Sequence, residues 1–95
     1  MKRTISAMCA ALVVPALAFA QPKSADEYYK DGETAYNLGK FDDAVDAFKK
    51  GYEAEPDEKR KAAYLYNIGQ AYRQKKDCSN AQFFYKRYLG LKDRD

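Results

Sequence analysis

The chain reads as all-α, four helices paired into two hairpins, and three observations predict it. Five positions recur at a spacing of 37 residues: Gly32, Ala35, Phe41, Ala44 and Phe48 return as Gly69, Tyr72, Cys78, Ala81 and Tyr85. Repetition at a period of 20–50 residues marks an array of supersecondary units. Apolar residues within each unit recur at helical spacing. No strand-like alternation bounded by turn signals occurs after residue 20.

The first helix is expected to open at Ser24-Ala25-Asp26-Glu27, where Ser24 caps the first turn and Glu27 reaches back to it. Tyr28, Ala35 and Leu38 then recur on one face with Gly32, and Gly39 supplies the left-handed residue that ends the helix. A second helix is predicted over about 42–54, with Asp42 and Asp43 at the positive end of its dipole. Its inward stripe is Ala44, Val45, Phe48, Gly51 and Tyr52, and Pro56 ends the unit. Asp57 opens a third helix carrying Tyr64, Leu65, Ile68, Gly69 and Tyr72, which fades near Lys75. Ser79 is read as the cap of the fourth, whose inward face holds Ala81, Phe84 or Tyr85, Tyr88 and Leu89. A glycine inside a helix costs about 1 kcal/mol relative to alanine, so Gly32 and Gly69 imply close helix–helix approach.

Residues 1–20 are read as a signal peptide rather than fold. Lys2 and Arg3 precede an apolar stretch, Ile5 to Phe19, interrupted by Pro15, and Ala18-Phe19-Ala20 offers a small-x-small cleavage pattern before Gln21. The stretch is too short for a spanning helix, which needs about 20 apolar residues. Met8 before Cys9 argues against a lipidated cysteine. The expected location is therefore the periplasm, with no membrane insertion after cleavage. The mature chain would hold 15 basic and 14 acidic side chains, unevenly placed. Residues 21–57 carry a net charge of −5 and residues 58–95 a net of +6. The near-neutral total gives no electrostatic case for nucleic acid.

Chemistry is hard to assemble from this composition. The chain has no His, which removes the commonest general base and a preferred metal ligand. Cys78, alone after cleavage, aligns with Phe41 and is read as buried and inert. Asp42, Asp43 and Asp46 lack the glycine and loop of oxygen ligands that calcium needs. Lys59-Arg60-Lys61, beside Glu58, is read as a solvated turn. No cofactor, metal site or catalytic residue is expected.

Tyr28, Gly32, Ala44, Phe48 and Pro56 resemble the tetratricopeptide repeat signature of aromatic, Gly, Ala, aromatic and Pro within 34 residues. Leu65, Gly69, Tyr72, Ala81 and Tyr85 match it again, and Gly to Ala spans twelve residues in both units. The resemblance implies a short solenoid over 21–95, with repeat one at about 25–58 and repeat two at about 62–95. Small residues would sit where the helices of a repeat cross, and aromatics between hairpins. The departures are three extra residues within Glu58–Lys61, which lengthen the third helix by a turn; Asp93 in place of the closing Pro; and Tyr88 where repeat one has Gly51.

The resemblance also implies function, since the first helices of the hairpins line a groove that holds peptides or partner helices. Carried onto this sequence, the groove residues are Asp26, Tyr29, Glu33 and Tyr36, with Ala63, Tyr66, Gln70 and Arg73 from the second unit. The family's grip on terminal carboxylates uses a Lys and Asn pair and a further Asn. Asn67 fits the last, whereas Tyr29 and Glu33 occupy the first two places. The expected function is a non-catalytic adaptor that binds a protein partner. The alternatives are a structural unit stacking head to tail with its own copies, which the unlike charges of the two halves would favour, and a piece of a longer repeat protein. An exposed apolar end is expected at Phe84, Tyr88 and Leu89.

Overall fold

The computed structural model describes residues 21–93. The expected leader and its cleavage site lie outside the described residues. Four helices follow in order: α1 Ala25–Asn37, α2 Phe41–Ala54, α3 Glu58–Gln74 and α4 Cys78–Lys92, with no strand among the described residues. Each helix packs on the next in sequence, so two antiparallel hairpins stack through the α2–α3 joint.

Local chemistry sets the helix ends. The Glu27 backbone N–H donates to Ser24 Oγ at 3.2 Å, and the Ser24 N–H donates to Glu27 Oε1 at 2.8 Å, completing the capping box. At the far end of α1, Gly39 has φ +78°. The turn closes through Lys40 N–H to Ala35 O and Gly39 N–H to Tyr36 O, the paired bonds of a Schellman end. The end of α3 repeats this geometry without the glycine. Lys76 has φ 68°, with Asp77 N–H bonded to Tyr72 O and Lys76 N–H to Arg73 O. Asp57 caps α3 by accepting from Lys59 N–H at 2.9 Å. At 17 residues against 13 in α1, α3 is longer by about a turn, as the extra residues predict.

The fourth helix starts earlier than expected. Its cap is Asp77, which accepts from the Asn80 N–H at 3.2 Å, and Ser79 lies inside the first turn. The left-handed turn at Lys76 delivers Asp77 in capping position two residues before Ser79. Cys78 is consequently the first residue of α4 and is exposed, contrary to the buried reading.

The core comprises Ala44, Val45, Phe48, Tyr64, Leu65, Ile68, Ala71 and Phe84. Glycines set how closely the helices approach. A β-carbon on Gly32 would lie 2.5 Å from Phe48 Cε1, and one on Gly69 would lie 2.7 Å from Tyr85 Cε1. Phe48 and Tyr85 thus fill the crossings inside their hairpins, not the space between hairpins. Tyr64 fills that space: its ring covers Gly51, where a β-carbon would lie 2.4 Å from Tyr64 Cε1. Its hydroxyl donates to Ala25 O at 3.0 Å, tying α3 back to α1. Burial, aided by the nearby Glu55 and Asp26 carboxylates, holds the Tyr64 phenol above its usual pKa.

Arg60 departs from the solvated-turn reading of its basic run. It donates to Asp26 Oδ1 at 2.8 Å and lies 3.6 Å from Glu55, linking the starts of α1 and α3. Glu55 is buried and also accepts from the Asp57 N–H at 3.1 Å, so its carboxylate keeps hydrogen-bonding partners inside the protein. Phe84, expected at an exposed end, is buried against Tyr72 with the rings stacked at 5.6 Å. Phe83 and Leu89 are the exposed apolar residues of α4.

Candidate functional site

A cleft of about 200 Å³ lies between α1 and α3, lined by Tyr29, Glu33, Tyr36, Asn37, Phe48, Asn67 and Gln70. Tyr29, Glu33 and Tyr36 stand one turn apart on α1, so a single helix face supplies one wall. Asn67 and Gln70 come from the equivalent face of α3. Phe48, which is 2% exposed, forms the floor where Gly32 lets α2 come close.

The walls are held by specific contacts. Tyr29 meets Phe48 and Tyr64 edge-on, with ring centroids 5.6 and 5.4 Å apart. Asn67 Nδ2 donates to the Tyr29 hydroxyl at 3.0 Å, bridging the two hairpins across the cleft. Tyr36 leans edge-on against Phe41 at 5.3 Å. The Tyr85 hydroxyl donates to Gln70 Oε1, fixing that amide. Burial raises the Tyr85 pKa, while the neighbouring Arg73 guanidinium opposes the shift. The Tyr85 phenol therefore remains a neutral donor at ordinary pH.

Of the eight residues carried over from the resemblance, Tyr29, Glu33, Tyr36 and Gln70 line this cleft. Asp26 is at the start of α1, paired with Arg60, and Ala63 is exposed outside the cleft lining. Tyr66 rests on Tyr85 and Tyr88, with centroids 5.9 and 5.3 Å apart, beyond the cleft. Arg73 lies near the Tyr85 hydroxyl. Asn37, Phe48 and Asn67 complete the lining and lie outside that set, Phe48 having been read as part of the repeat signature. Asn67 had a signal, its fit to the carboxylate-gripping asparagine, yet here its amide is engaged by Tyr29. Asn37 had none beyond lying one residue after Tyr36.

Chemically the cleft offers aromatic faces, side-chain amides and one carboxylate. Its size suits one or two side chains of a bound segment, since sites that enclose a whole small ligand run to about 300–1,000 Å³. Among the described residues, no group of three His, Cys, Asp or Glu side chains is gathered to hold a metal, and no helix is long and apolar enough to cross a membrane.

The model of the tetratricopeptide repeat family matches residues 28–58 and again residues 62–95. The chain is a tetratricopeptide repeat protein. Repeats of this family generally mediate protein–protein interaction and are generally non-catalytic. Neither the curated proteins nor the solved structures give a significant match. In this tetratricopeptide protein the two matched segments correspond to the hairpins α1–α2 and α3–α4.

Proposed function

We propose that this tetratricopeptide protein is an exported, periplasmic adaptor that holds a segment of a partner protein in the concave cleft between α1 and α3. The observation that carries this reading is the cleft's composition. Tyr29 and Tyr36 present stiff amphipathic faces, Glu33 and Asn37 are exposed at its edge, and Asn67 and Gln70 provide amides. Tyrosine faces anchor interfaces at small entropic cost, and amides pair with peptide groups. Glu33 would favour a segment with a basic side chain. Because Asn67 is bonded to Tyr29, the terminal-carboxylate grip has no counterpart in this cleft. The leader pattern in residues 1–20 supports export.

The test starts with a partner co-purified from the cell envelope, identified by mass and titrated against the purified chain. Tyr36→Ala and Glu33→Lys should each weaken binding about tenfold or more, the loss expected of an interface anchor. Lys50→Glu, on the exposed side of α2, should leave it unchanged. Binding indifferent to both cleft variants would refute the assignment.

A further inference from the structure

The 37-residue translation that relates the hairpins supplies a template for a second surface, independent of the cleft. In the internal joint, the first hairpin docks α3 through Tyr29, Phe48, Gly51 and Tyr52. Tyr29 packs edge-on against Tyr64 and accepts from Asn67, and the Tyr64 ring seats on Gly51. Lys49 reaches across the joint to the rings of Tyr72 and Phe84, at 5.6 and 5.5 Å. Shifted by 37 residues, the same positions on the second hairpin are Tyr66, Tyr85, Tyr88, Leu89 and Lys86. Among the described residues no helix packs over this face: Tyr66 is 42% exposed and Leu89 51%.

We propose that this end face docks an acidic amphipathic helix of a partner protein, in the position that α3 takes against the first hairpin. The size of its contact residues follows from the one large change in the template. Where Gly51 leaves room for the Tyr64 ring, Tyr88 fills the slot itself. The docked helix therefore carries a small residue at the place equivalent to Tyr64. It carries an amide three residues later, to meet Tyr66 as Asn67 meets Tyr29, and apolar residues at the places of Leu65 and Ile68. Its acidity follows from the rim. Lys92 sits 5.9 Å from the Tyr88 ring centre, Arg73 lies beside Tyr85, and Lys86 is exposed, and among the described residues no carboxylate is paired to any of the three.

A second copy fits this face poorly. Stacked head to tail, its α1 would bring Glu27, Lys30, Asp31 and Thr34 to the places of Tyr64, Asn67, Ile68 and Ala71. All four are exposed and polar, and Asp31 would enter where Ile68 is 1% exposed. Stacked end to end about a twofold axis, Arg73, Lys86 and Lys92 would face their own copies.

The test uses the full 95-residue chain and two labelled peptides followed by fluorescence anisotropy. Both peptides copy residues 58–74 with Glu in place of Lys59, Arg60 and Lys61; one keeps Tyr64 and the other carries Tyr64→Ala. The alanine peptide should bind at least about tenfold more tightly, and Leu89→Asp in the protein should weaken it about tenfold. Tyr88→Gly should reverse the preference by reopening the slot. If that variant unfolds, Tyr88→Ala serves, with the same reversal expected. Glu33→Lys in the cleft should change nothing, which separates failure here from failure of the cleft assignment. Equal affinities, no binding up to about 1 mM, or sensitivity to Glu33→Lys in place of Leu89→Asp would overturn the proposal. So would self-association in sedimentation that Leu89→Asp abolishes, because the occupant would then be a second copy.

Discussion

Replacing Gly32 with alanine should destabilise the fold by up to about 2 kcal/mol, although alanine is the better helix former. Helix propensity alone favours the substitution by about 1 kcal/mol. Packing opposes it. The added carbon would lie 2.5, 2.6 and 2.8 Å from three atoms of the Phe48 ring, so about 0.9 Å of movement is needed to reach ordinary contact. Phe48 is 2% exposed and packed edge-on against Tyr29, so its ring can move only by giving up that contact. Overpacking costs about 1–3 kcal/mol, and a displacement of this size at three ring atoms belongs in the upper part of that range, so the net loss is up to about 2 kcal/mol. Urea unfolding followed by far-ultraviolet circular dichroism gives the free energy, and a thermal melt should fall by roughly 4–8 °C per kcal/mol for a domain of this size. The pair Gly32→Ala with Phe48→Leu should cost less than the two single changes added together, since the shorter side chain makes room for the methyl. A Gly32→Ala variant more stable than wild type would show that the helices do not cross at that glycine.

Three further outcomes follow from the same geometry. Lys76→Gly should raise stability by about 1 kcal/mol in urea titrations, because a left-handed conformation costs an L-residue about 1–2 kcal/mol and glycine little; an unchanged midpoint would mean that Lys76 is not in that conformation. Cys78, exposed at the first position of α4, should react with a thiol reagent in the native protein at a rate close to that after denaturation; protection by folding would contradict its placement. Burial raises the Tyr64 pKa above its unfolded value near 10.0, so its contribution to stability is fully present below that pH and is lost as pH rises through the folded pKa; Tyr64→Phe should flatten the alkaline decline in unfolding free energy, and an unaltered slope would remove Tyr64 from the explanation.

Where a single side chain decides the local structure, the fold was legible in the sequence. The capping box, Gly39 and Asp57 each satisfy backbone groups within a few residues of themselves, so their effect does not depend on the tertiary fold. The misplaced start of α4 came from reading Ser79 by type. The repeat itself held the better signal, because Gly39 translates onto Lys76, and a left-handed residue there puts the helix start just after Asp77. Alignment of Cys78 with Phe41 does not carry burial with it. Phe41 is itself only half-buried, covered by the Tyr36 ring, and the counterpart of Tyr36 is Arg73, which brings no ring over Cys78. At the cleft, the family resemblance supplied one wall, Tyr29, Glu33 and Tyr36, and Gln70 of the other. Which further residues of α3 face α1 depends on how the two helices rotate against each other, which the sequence does not encode locally, so the place of Asn67 beside Tyr29 comes from the packed hairpins, and Asn37 joins the lining as the last residue of α1.

Site-specific photocrosslinking in the cells of origin tests the adaptor reading most directly. A photoreactive side chain placed at Glu33, on the cleft, should trap a partner protein in an adduct of defined mass. The same group at Asp46, exposed on α2, should trap none. Adducts formed from Asp46 and not from Glu33 would contradict the account, because the partner would then meet this tetratricopeptide protein away from the cleft.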